Sequence, residues 1–263
     1  MAITLRSRRE IDLMRKAGVV VADVLLKLKE IAEPGVTTAQ LDEVAAQMTA
    51  DARAQALFKG VRTPASKIPF PGAICASINE QVVHGIPSEN TKLELGDILS
   101  IDFGVRLDCY CADAAVTIAI GQVSEDRRRL MDVTARILDI AIAKSAPAVK
   151  WSQVAAEMQK YAESAGFSVV KDFVGHGIGR KMHEEPRVPN FVNDDLLAND
   201  IVLAQGMVLA VEPMINAGSS AVRTLRNGWT VVTKDRKCSA HFEHTIAIVE
   251  NGCEILTEVL QKS

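Results

Sequence analysis

The sequence predicts an α+β fold in which helices cover an antiparallel sheet and the chain is divided into two pseudo-symmetric halves. The element order helix, helix, strands occurs twice along the chain. Residues 33–48, "EPGVTTAQLDEVAAQM", also resemble residues 146–159, "APAVKWSQVAAEMQ", and "TIAI" ends a strand in each half, at 117–120 and 245–248. Alanine-rich amphipathic helices can resemble each other by chance, but the matching order of elements favours an internal duplication. A functional site at the junction of the halves is then expected.

The first half begins with two helices. Helical periodicity covers about 7–31. Residues 37–40, "TTAQ", are typical of a capping box and open a second helix that extends to about Asp51. The proline-rich segment 61–72 predicts a loop. Strand-like runs follow at 73–78, 97–107 and 110–120.

The second half repeats this order. Helical periodicity covers about 124–144 and 151–165. Strand-like runs are predicted at 207–215, 229–233, 242–250 and 253–257. Together the halves predict one domain over 1–263, with pseudo-repeats at about 8–121 and 122–257.

Composition excludes several classes of protein. The net charge is −3 and aromatic residues make up 4% of the chain, so neither a basic surface nor stacking platforms for nucleic-acid bases are expected. The five cysteines are odd in number and form no C-x-x-C pair, which indicates free thiols in a reducing compartment. No uncharged apolar run reaches the ~18 residues that span a bilayer. The sequence therefore predicts a cytoplasmic protein without membrane contact or nucleic-acid specificity.

Two aspartates lie on neighbouring predicted strands. The apolar residues 101, 103 and 105 of "ILSIDFGV" share one face of their strand, so Asp102 lies on the other. If Leu107-Asp108 forms a two-residue hairpin turn, Asp102 lies directly opposite Asp113. Facing carboxylates repel each other, and beneath helices they are also partly desolvated, so a bound cation is the simplest compensation. The alternative is that both carboxylates lie on a hydrated face.

The second half contains two matching acids. Glu212 in "LAVEPM" and Glu243 in "AHFEHTIAI" each stand alone inside an apolar strand. Two divalent cations would neutralise the four carboxylates, and oxygen ligands with one or two imidazoles suit manganese, iron, cobalt or zinc. A pair of such ions can activate water and polarise a carbonyl together. Other hydrolase motifs do not fit: "HEEPR" lacks the second histidine of H-E-x-x-H, and G-x-S-x-G and Walker sequences do not occur.

Two of the five histidines lie close together in "GHGIGRKMHEEP", residues 175–186. The segment is too rich in glycine for a regular helix or strand, so it predicts a loop. Either the histidines are incidental, or the loop holds the imidazoles of His176 and His183 at a reaction centre. In the second case, the glycines beside His176 are expected to allow a close backbone approach and angles that other residues avoid.

These residues resemble those of the methionine aminopeptidases, most closely the short bacterial type I form. The resemblance covers nearly the whole chain and includes the motifs "VVHGIP" (82–87), "GHGIG" (175–179), "HEEP" (183–186) and "EPM" (212–214). It implies a single metallopeptidase domain with the pseudo-symmetric pita-bread fold. It also implies removal of the N-terminal methionine from nascent proteins with a small second residue, by attack of a hydroxide that two metal ions activate.

The resemblance assigns metal-binding roles to five residues. Asp113 and Glu243 would bridge the two ions, Asp102 would complete one site, and His176 and Glu212 would complete the other. Glu212 would also accept the proton of the attacking water. The implied substrates are nascent polypeptide N-termini, met at the ribosome, and the implied enzyme is a cytoplasmic monomer.

Further residues are assigned to the substrate. His84 would lie near the scissile amide nitrogen, and His183 would donate a hydrogen bond to the carbonyl oxygen as it becomes an oxyanion. Four side chains would line the pocket for the methionine side chain: Phe70, Cys75, Met182 and Trp229. His241 and His244 flank Glu243 and are interpreted as supporting or surface residues.

Some positions depart from the family pattern. The segment Ala112-Asp113-Ala114 lacks a hydroxyl that usually lies beside the second aspartate ligand. Val61 stands where a tyrosine is common, and Met182 replaces a common phenylalanine. The loop 58–72 is longer than usual. Two alternative functions remain. A proline-directed aminopeptidase of the same fold is disfavoured by "HGIP" together with "GHGIGRKMHEEP". A non-catalytic binding relative is disfavoured by the four isolated acids.

Overall fold

The computed structural model describes residues 3–64 and 66–258, which form five helices and fifteen strands. The helices are α1 (Arg8–Ile31), α2 (Thr38–Asp51), α3 (Glu125–Lys144), α4 (Trp151–Ser164) and α5 (Asp194–Ala198). The strands are β1 (Gln55–Ala56), β2 (Cys75–Ile78), β3 (Gln81–Val83), β4 (Ile98–Leu107), β5 (Tyr110–Ala119), β6 (Ser168–Val169), β7 (Gly175–Gly177), β8 (Glu184–Val188), β9 (Val208–Val211), β10 (Met214–Asn216), β11 (Val222–Thr224), β12 (Val231–Thr233), β13 (Ser239–His241), β14 (Glu243–Val249) and β15 (Gly252–Ile255). No helix in these ranges has the length and apolar character needed to cross a membrane.

A nine-stranded sheet forms the centre of the fold. Its order is β1-β4-β5-β14-β9-β7-β8, with β2 paired to β4 and β15 paired to β14. Every pairing in it is antiparallel, as predicted. The strands of the two predicted halves meet where β5 pairs with β14, at Glu243 opposite Ala115 and His244 opposite Ala114. The halves are therefore joined through one continuous sheet.

Helices cover this sheet and bury two main apolar cores. One core joins α1 and α2 to β4 and β5, and it contains Val21, Leu41 and Phe103. The other joins α3 and α4 to β9 and β14, and it contains Ile137 and Trp151. The α+β prediction is confirmed. The cores correspond largely to the two predicted pseudo-repeats, and the division of one domain into such repeats stays a prediction.

Side-chain caps define where the first helices begin. The Thr37 hydroxyl accepts the backbone N–H of Gln40, and the Gln40 side chain accepts the backbone N–H of Thr37, so the predicted capping box is confirmed. Ser7 and Glu10 form a second box at the start of α1. Each box satisfies backbone donors that the first turn of a helix leaves without partners. Both helices of the first half are therefore specified locally.

The hairpin between β4 and β5 turns one residue later than predicted. Leu107 pairs with Tyr110, and the two turn residues, Asp108 and Cys109, have φ values of 47° and 71°. Positive φ at both central positions matches the twist of antiparallel strands, so this turn is favoured over the predicted one. The direct pairing of Asp102 with Asp113 was therefore wrong, because Asp102 lies opposite Ala115. The observed partner of Asp102 lies two residues beyond the predicted one. Because side chains alternate with a period of two, both carboxylates still lie on one face.

The predicted strand 207–215 is interrupted. β9 ends at Val211 in the central sheet, whereas β10 begins at Met214 in a three-stranded sheet of order β13-β10-β6. Pro213 lies at the interruption, and a proline has no N–H to donate to a strand partner. The prediction of one continuous strand was wrong here. Glu212 consequently lies at the end of β9, between two sheets.

The prediction of a loop for "GHGIGRKMHEEP" was also wrong at both ends of the segment. β7 pairs with β9 and β8, so His176 lies in the central sheet, although the β7–β8 pairing shifts register between His176 and Gly177. A Cβ at Gly175 would lie 2.3 Å from the Ala210 carbonyl oxygen, and one at Gly177 would lie 2.2 Å from the Glu185 carbonyl oxygen. Neither glycine has a positive φ. Glycine is required because the neighbouring backbones approach closely, rather than for unusual backbone angles.

Candidate metal centre and active site

Five adjacent strands of the central sheet each contribute one predicted metal ligand. In the sheet order β4-β5-β14-β9-β7, Asp102 lies on β4, Asp113 on β5 and Glu243 at the start of β14. Glu212 directly follows β9, and His176 lies on β7. Residues from both halves of the chain are thus brought side by side across the β5–β14 junction. The candidate site therefore lies at the junction of the two predicted halves.

The ligand atoms lie at distances that a metal ion can span. One ligand atom from each of Asp113, His176 and Glu243 lies within 4.8 Å of the others. The Nε2 atom of His176 is 3.7 Å from an Asp113 carboxylate oxygen and 3.5 Å from a Glu212 carboxylate oxygen. Since nitrogen and oxygen ligands bind zinc at about 2.0–2.2 Å, donor atoms around one ion lie roughly 3–4.4 Å apart. The spacing and the chemistry of these donors fit a divalent cation.

Burial makes the four carboxyl groups costly to ionise without a cation. Burial and the charge of Asp113 raise the pKa of Asp102 well above its usual range. Burial also raises the pKa of Asp113 to about 6. The pKa values of Glu212 and Glu243 are raised well above the usual range by burial and then by the neighbouring carboxylates. Such mutual repulsion is relieved when a cation binds between the groups.

Thr245 supplies the hydroxyl that Ala112 and Ala114 do not. The backbone N–H of Asp113 donates to Thr245 Oγ1 over 3.1 Å. The Thr245 hydroxyl lies 2.8 Å from the Asp113 carbonyl oxygen and 3.2 Å from its carboxylate oxygen Oδ1, and donates towards them. Thr245 is two residues beyond Glu243 on β14 and so shares its face of the strand. The Asp113 side chain is therefore oriented from the neighbouring strand rather than from its own.

A backbone contact fixes which nitrogen of His176 faces the acids. The His176 Nδ1 atom is 3.0 Å from the carbonyl oxygen of Gly177, which can only accept a hydrogen bond. Nδ1 therefore carries the proton, and Nε2 presents a lone pair towards Asp113 and Glu212. Burial lowers the pKa of His176, which also favours the neutral ligand form. This geometry is the one that an imidazole metal ligand needs.

His183 lies beside His176 on a turn that contacts of Glu184 stabilise. The two imidazole ring centres lie 4.4 Å apart. A carboxylate oxygen of Glu184 accepts the backbone N–H groups of Arg180 and Lys181 over 2.9 and 3.0 Å. The other oxygen of Glu184 is ion-paired with Arg6, whose side chain is almost fully buried. Burial, and then the His176 imidazole, lower the pKa of His183, so a neutral ring with one N–H faces the cavity.

All eleven predicted site residues line one cavity of about 240 Å³. They are Phe70, Cys75, His84, Asp102, Asp113, His176, Met182, His183, Glu212, Trp229 and Glu243. The apolar members form a separate small cluster in which Phe70 and Trp229 pack edge to face with ring centres 5.2 Å apart. Burial raises the pKa of the Cys75 thiol far above its usual range, so this group is suited to packing rather than to nucleophilic attack.

The long loop 58–72 forms one wall of this cavity. Its residues Phe58, Val61 and Thr63 line the space, although only Val61 was considered from the sequence. The indole N–H of Trp229 donates to the Ile68 carbonyl oxygen over 3.0 Å, which ties the loop to the opposite wall. These residues of the loop therefore shape the pocket.

The sequence did not identify the remaining lining residues, which are Val83, Phe173, Val174 and Met214. Phe173 and Val174 also line a neighbouring groove of about 710 Å³, as do His176 and His183. Phe173 and Val174 directly precede the glycine-rich segment. The sequence alone does not distinguish an apolar residue at the edge of a cavity from one in a hydrophobic core. The four side chains that line both spaces mark the boundary between the cavity and the groove.

Sequence comparison relates the chain to known metallopeptidases. A model of metallopeptidase family M24 matches residues 12–250. A methionine aminopeptidase of Clostridium perfringens is 47% identical over 255 residues, which are 97% of this chain and 98% of the relative. Methionine aminopeptidase 1 of Bacillus subtilis is 42% identical over 98% of this chain and 100% of its own length.

Structural comparison agrees with this relationship. The crystal structure of methionine aminopeptidase from Thermotoga maritima matches with a TM-score of 0.92 and 38% identity, over 98% of this chain and 100% of that one. A prolidase from Pyrococcus furiosus matches with a TM-score of 0.73 at 20% identity, over 98% of this chain and 66% of that one, which shows a shared fold alone. The pita-bread fold is confirmed by these matches. The chain belongs to metallopeptidase family M24 and, within it, to the methionine aminopeptidases.

Proposed function

We propose that this protein removes the N-terminal methionine from polypeptides whose second residue is small. The observation that carries the proposal is the placement of four carboxyl groups, two buried and two half-buried, and one imidazole, on or directly after five adjacent strands and beside an apolar pocket. Relatives named methionine aminopeptidase at 42–47% identity over nearly the full length support the same reaction. The prolidase likeness concerns the fold and does not support a proline-directed activity.

In this proposal the five ligands hold two divalent cations of manganese, iron, cobalt or zinc. Asp113 and Glu243 would contribute to both cation positions, Asp102 to one of them, and His176 with Glu212 to the other. The support is the clustering of Asp113, His176 and Glu243 and the four carboxyl groups that lack a compensating charge. When bound, the cations polarise the substrate carbonyl and lower the pKa of a water molecule so that it can attack near neutral pH.

The protein's own side chains then orient the substrate and transfer protons. Glu212, at the end of β9, accepts the proton of the attacking water. His183 presents an N–H to the carbonyl oxygen as negative charge develops there. His84 lies near the amide nitrogen of the scissile bond, and burial lowers its pKa to about 4, so the ring is neutral. Each of these side chains lines the cavity.

The pocket for the methionine side chain is formed by Phe70, Cys75, Met182 and Trp229. These side chains pack together at the apolar end of the cavity. A polarisable, apolar wall with aromatic rings suits a flexible thioether. The second residue of the substrate would lie at the boundary formed by Phe173 and His183, between the cavity and the groove. We expect a large side chain to meet Phe173 and His183 there, and the proposed preference for a small second residue follows from that contact.

Peptide hydrolysis by the apo-protein, with each divalent cation added back, tests this function. We expect Met-Ala-Ser to be hydrolysed and Met-Lys-Ser to have a kcat/KM lower by at least about 10–200-fold, the usual cost of a single misfitting methylene group. Comparable turnover of both peptides would contradict the specificity. Faster cleavage of an Ala-Pro peptide would indicate the proline-directed alternative, and absence of cation binding would indicate a non-catalytic relative.

We further propose that the enzyme acts in the cytoplasm, as a monomer, on nascent chains at the ribosome. The five free cysteines are compatible with a reducing compartment, and the named relatives are bacterial methionine aminopeptidases. Light scattering at micromolar concentration would test the monomer, and co-sedimentation with ribosomes would test the contact.

A further inference from the structure

We propose that His241 is a positioning residue for Glu212, donating a hydrogen bond from its Nε2 atom to one carboxylate oxygen so that the other oxygen faces His176. The sequence comparison and the pocket lining assign no role to His241. This inference rests on the proposed function, because Glu212 matters as a cation ligand and proton acceptor. The consequence would be a carboxylate that is oriented before cation and substrate bind.

The first observation is a buried nitrogen that has no partner. His241 is 1% exposed, and its Nε2 atom makes no hydrogen bond within residues 3–64 and 66–258. An unpaired buried polar atom is unfavourable and needs an explanation. The Oε2 atom of Glu212 lies 3.8 Å from it, which is too far for a hydrogen bond but close enough for a small side-chain rotation to form one.

The second observation is that the His241 backbone is fixed. Its N–H donates to the Thr117 hydroxyl over 2.9 Å, and the Thr117 hydroxyl in turn contacts the His241 carbonyl oxygen over 2.8 Å. Thr117 is itself paired with Ser100 over 2.8 Å. His241 also lies opposite Met214 in the β10–β13 pair. Three strands therefore hold the His241 backbone in place.

Glu212 is the partner that can adjust. It lies outside regular structure, between β9 and β10, and the Asn190 side chain anchors its backbone carbonyl over 3.1 Å. Its Oε1 atom is 3.5 Å from His176 Nε2, and its Oε2 atom is 3.8 Å from His241 Nε2. One carboxylate thus lies between two imidazoles, each of which approaches a different oxygen. The orientation of the carboxylate is decided by these two neighbours.

The Nε2 atoms of the two imidazoles are suited to different roles. The contact of His176 Nδ1 with the Gly177 carbonyl oxygen leaves Nε2 as a lone-pair donor to a cation. His241 Nε2 has no such restriction, so it is free to carry the proton. A hydrogen-bond donor in this place is the usual outer partner of a ligating carboxylate.

The test compares His241→Ala, His241→Gln and His244→Ala. The Mn²⁺ affinity of each apo-protein is measured by calorimetry. The melting temperature of each variant and its kcat and KM for Met-Ala-Ser are measured as well. His241→Ala should weaken Mn²⁺ binding and lower kcat by about 10–100-fold, the usual effect of losing an outer partner, with KM little changed. His241→Gln keeps an N–H donor and should recover most of both. His244 instead contacts the Thr257 hydroxyl over 2.8 Å, so His244→Ala should lower only the melting temperature.

The inference is overturned if His241→Ala binds Mn²⁺ as tightly as the unchanged protein, or if His241→Gln is as impaired as His241→Ala. If His241→Ala does not fold, His241→Leu provides a donor-free side chain of comparable size, and the same comparison with His241→Gln decides the question. Failure of the proposed function is distinguishable, because the unchanged protein would then neither bind Mn²⁺ nor hydrolyse Met-Ala-Ser.

Discussion

Replacing Glu243 by Gln is expected to eliminate cation binding at the centre and to lower kcat/KM for Met-Ala-Ser by about 10³–10⁴-fold, which corresponds to several kcal/mol of lost charge stabilisation. Glu243 lies at the junction of the two halves, and its ligand atom is within 4.8 Å of those of Asp113 and His176. Glutamine keeps the shape of the side chain but removes its negative charge. Metal analysis after dialysis and steady-state kinetics would measure both effects.

The same replacement should make the apo-protein more stable. Burial and neighbouring carboxylates raise the pKa of Glu243, which means that its ionised form is unfavourable in the folded protein. Glutamine does not ionise in the unfolded chain, so folding no longer requires the uptake of a proton at this position, and the melting temperature without metal at neutral pH should rise. With metal added, the unchanged protein should become the more stable one, because a ligand that binds only the folded state stabilises it.

Glu250→Gln is the matched control for this change. Glu250 is exposed and directly follows β14, the strand that begins at Glu243. The chemical change is identical, but no effect on cation binding or kcat/KM is expected. A Glu243→Gln protein that retains its metal, or an apo form less stable than the unchanged apo-protein, would contradict the assignment of Glu243.

The acids could be found from the sequence because their signal is local. A single carboxylate among apolar neighbours in a strand has few favourable environments. The alternation of side chains along β4 places Asp102 away from the apolar face. The error in the β4–β5 turn did not matter for the site. The predicted and observed turns differ by two residues in pairing, so Asp102 and Asp113 share a face in both.

The path of the chain around Glu212 and His176 could not be predicted in the same way. Both depend on which strand lies beside which, and that is decided by contacts between residues distant in sequence. The close packing of Gly177 on the Glu185 carbonyl explains why glycines occur in a strand, yet glycines alone indicate a loop. Pro213 was a readable sign that the apolar run 207–215 is interrupted, because proline is excluded from the interior of a sheet.

Supporting contacts were the least predictable part of the site. Thr245 orients Asp113 across a strand pair, and its only sequence signal is that it shares a face with Glu243. His241 and His244 were both expected to be supporting or surface residues, but the structure separates them. His241 is buried with its Nε2 atom 3.8 Å from Glu212, whereas His244 contacts Thr257. Such differences depend on the orientation of side chains in space, which a strand pattern does not specify.

Replacing His183 by Ala is expected to lower kcat for Met-Ala-Ser by about 10²–10³-fold, the usual cost of losing one hydrogen-bond donor to a developing oxyanion. Cation affinity and melting temperature should change little. His183 lies on the turn after β7, whereas the group with metal-ligand spacing in the described chain contains His176. His183→Gln, which keeps an N–H donor, should retain part of the lost activity.

His176→Ala provides the contrasting result, although the two imidazole rings are only 4.4 Å apart. It removes a nitrogen that lies 3.5 Å from Glu212 and 3.7 Å from Asp113, so cation affinity, melting temperature with metal and activity should all fall together. Calorimetry with Mn²⁺ and kinetics on both variants measure the difference. If His183→Ala loses the cation as readily as His176→Ala, both histidines are ligands and the assignment of His183 to the substrate carbonyl is wrong.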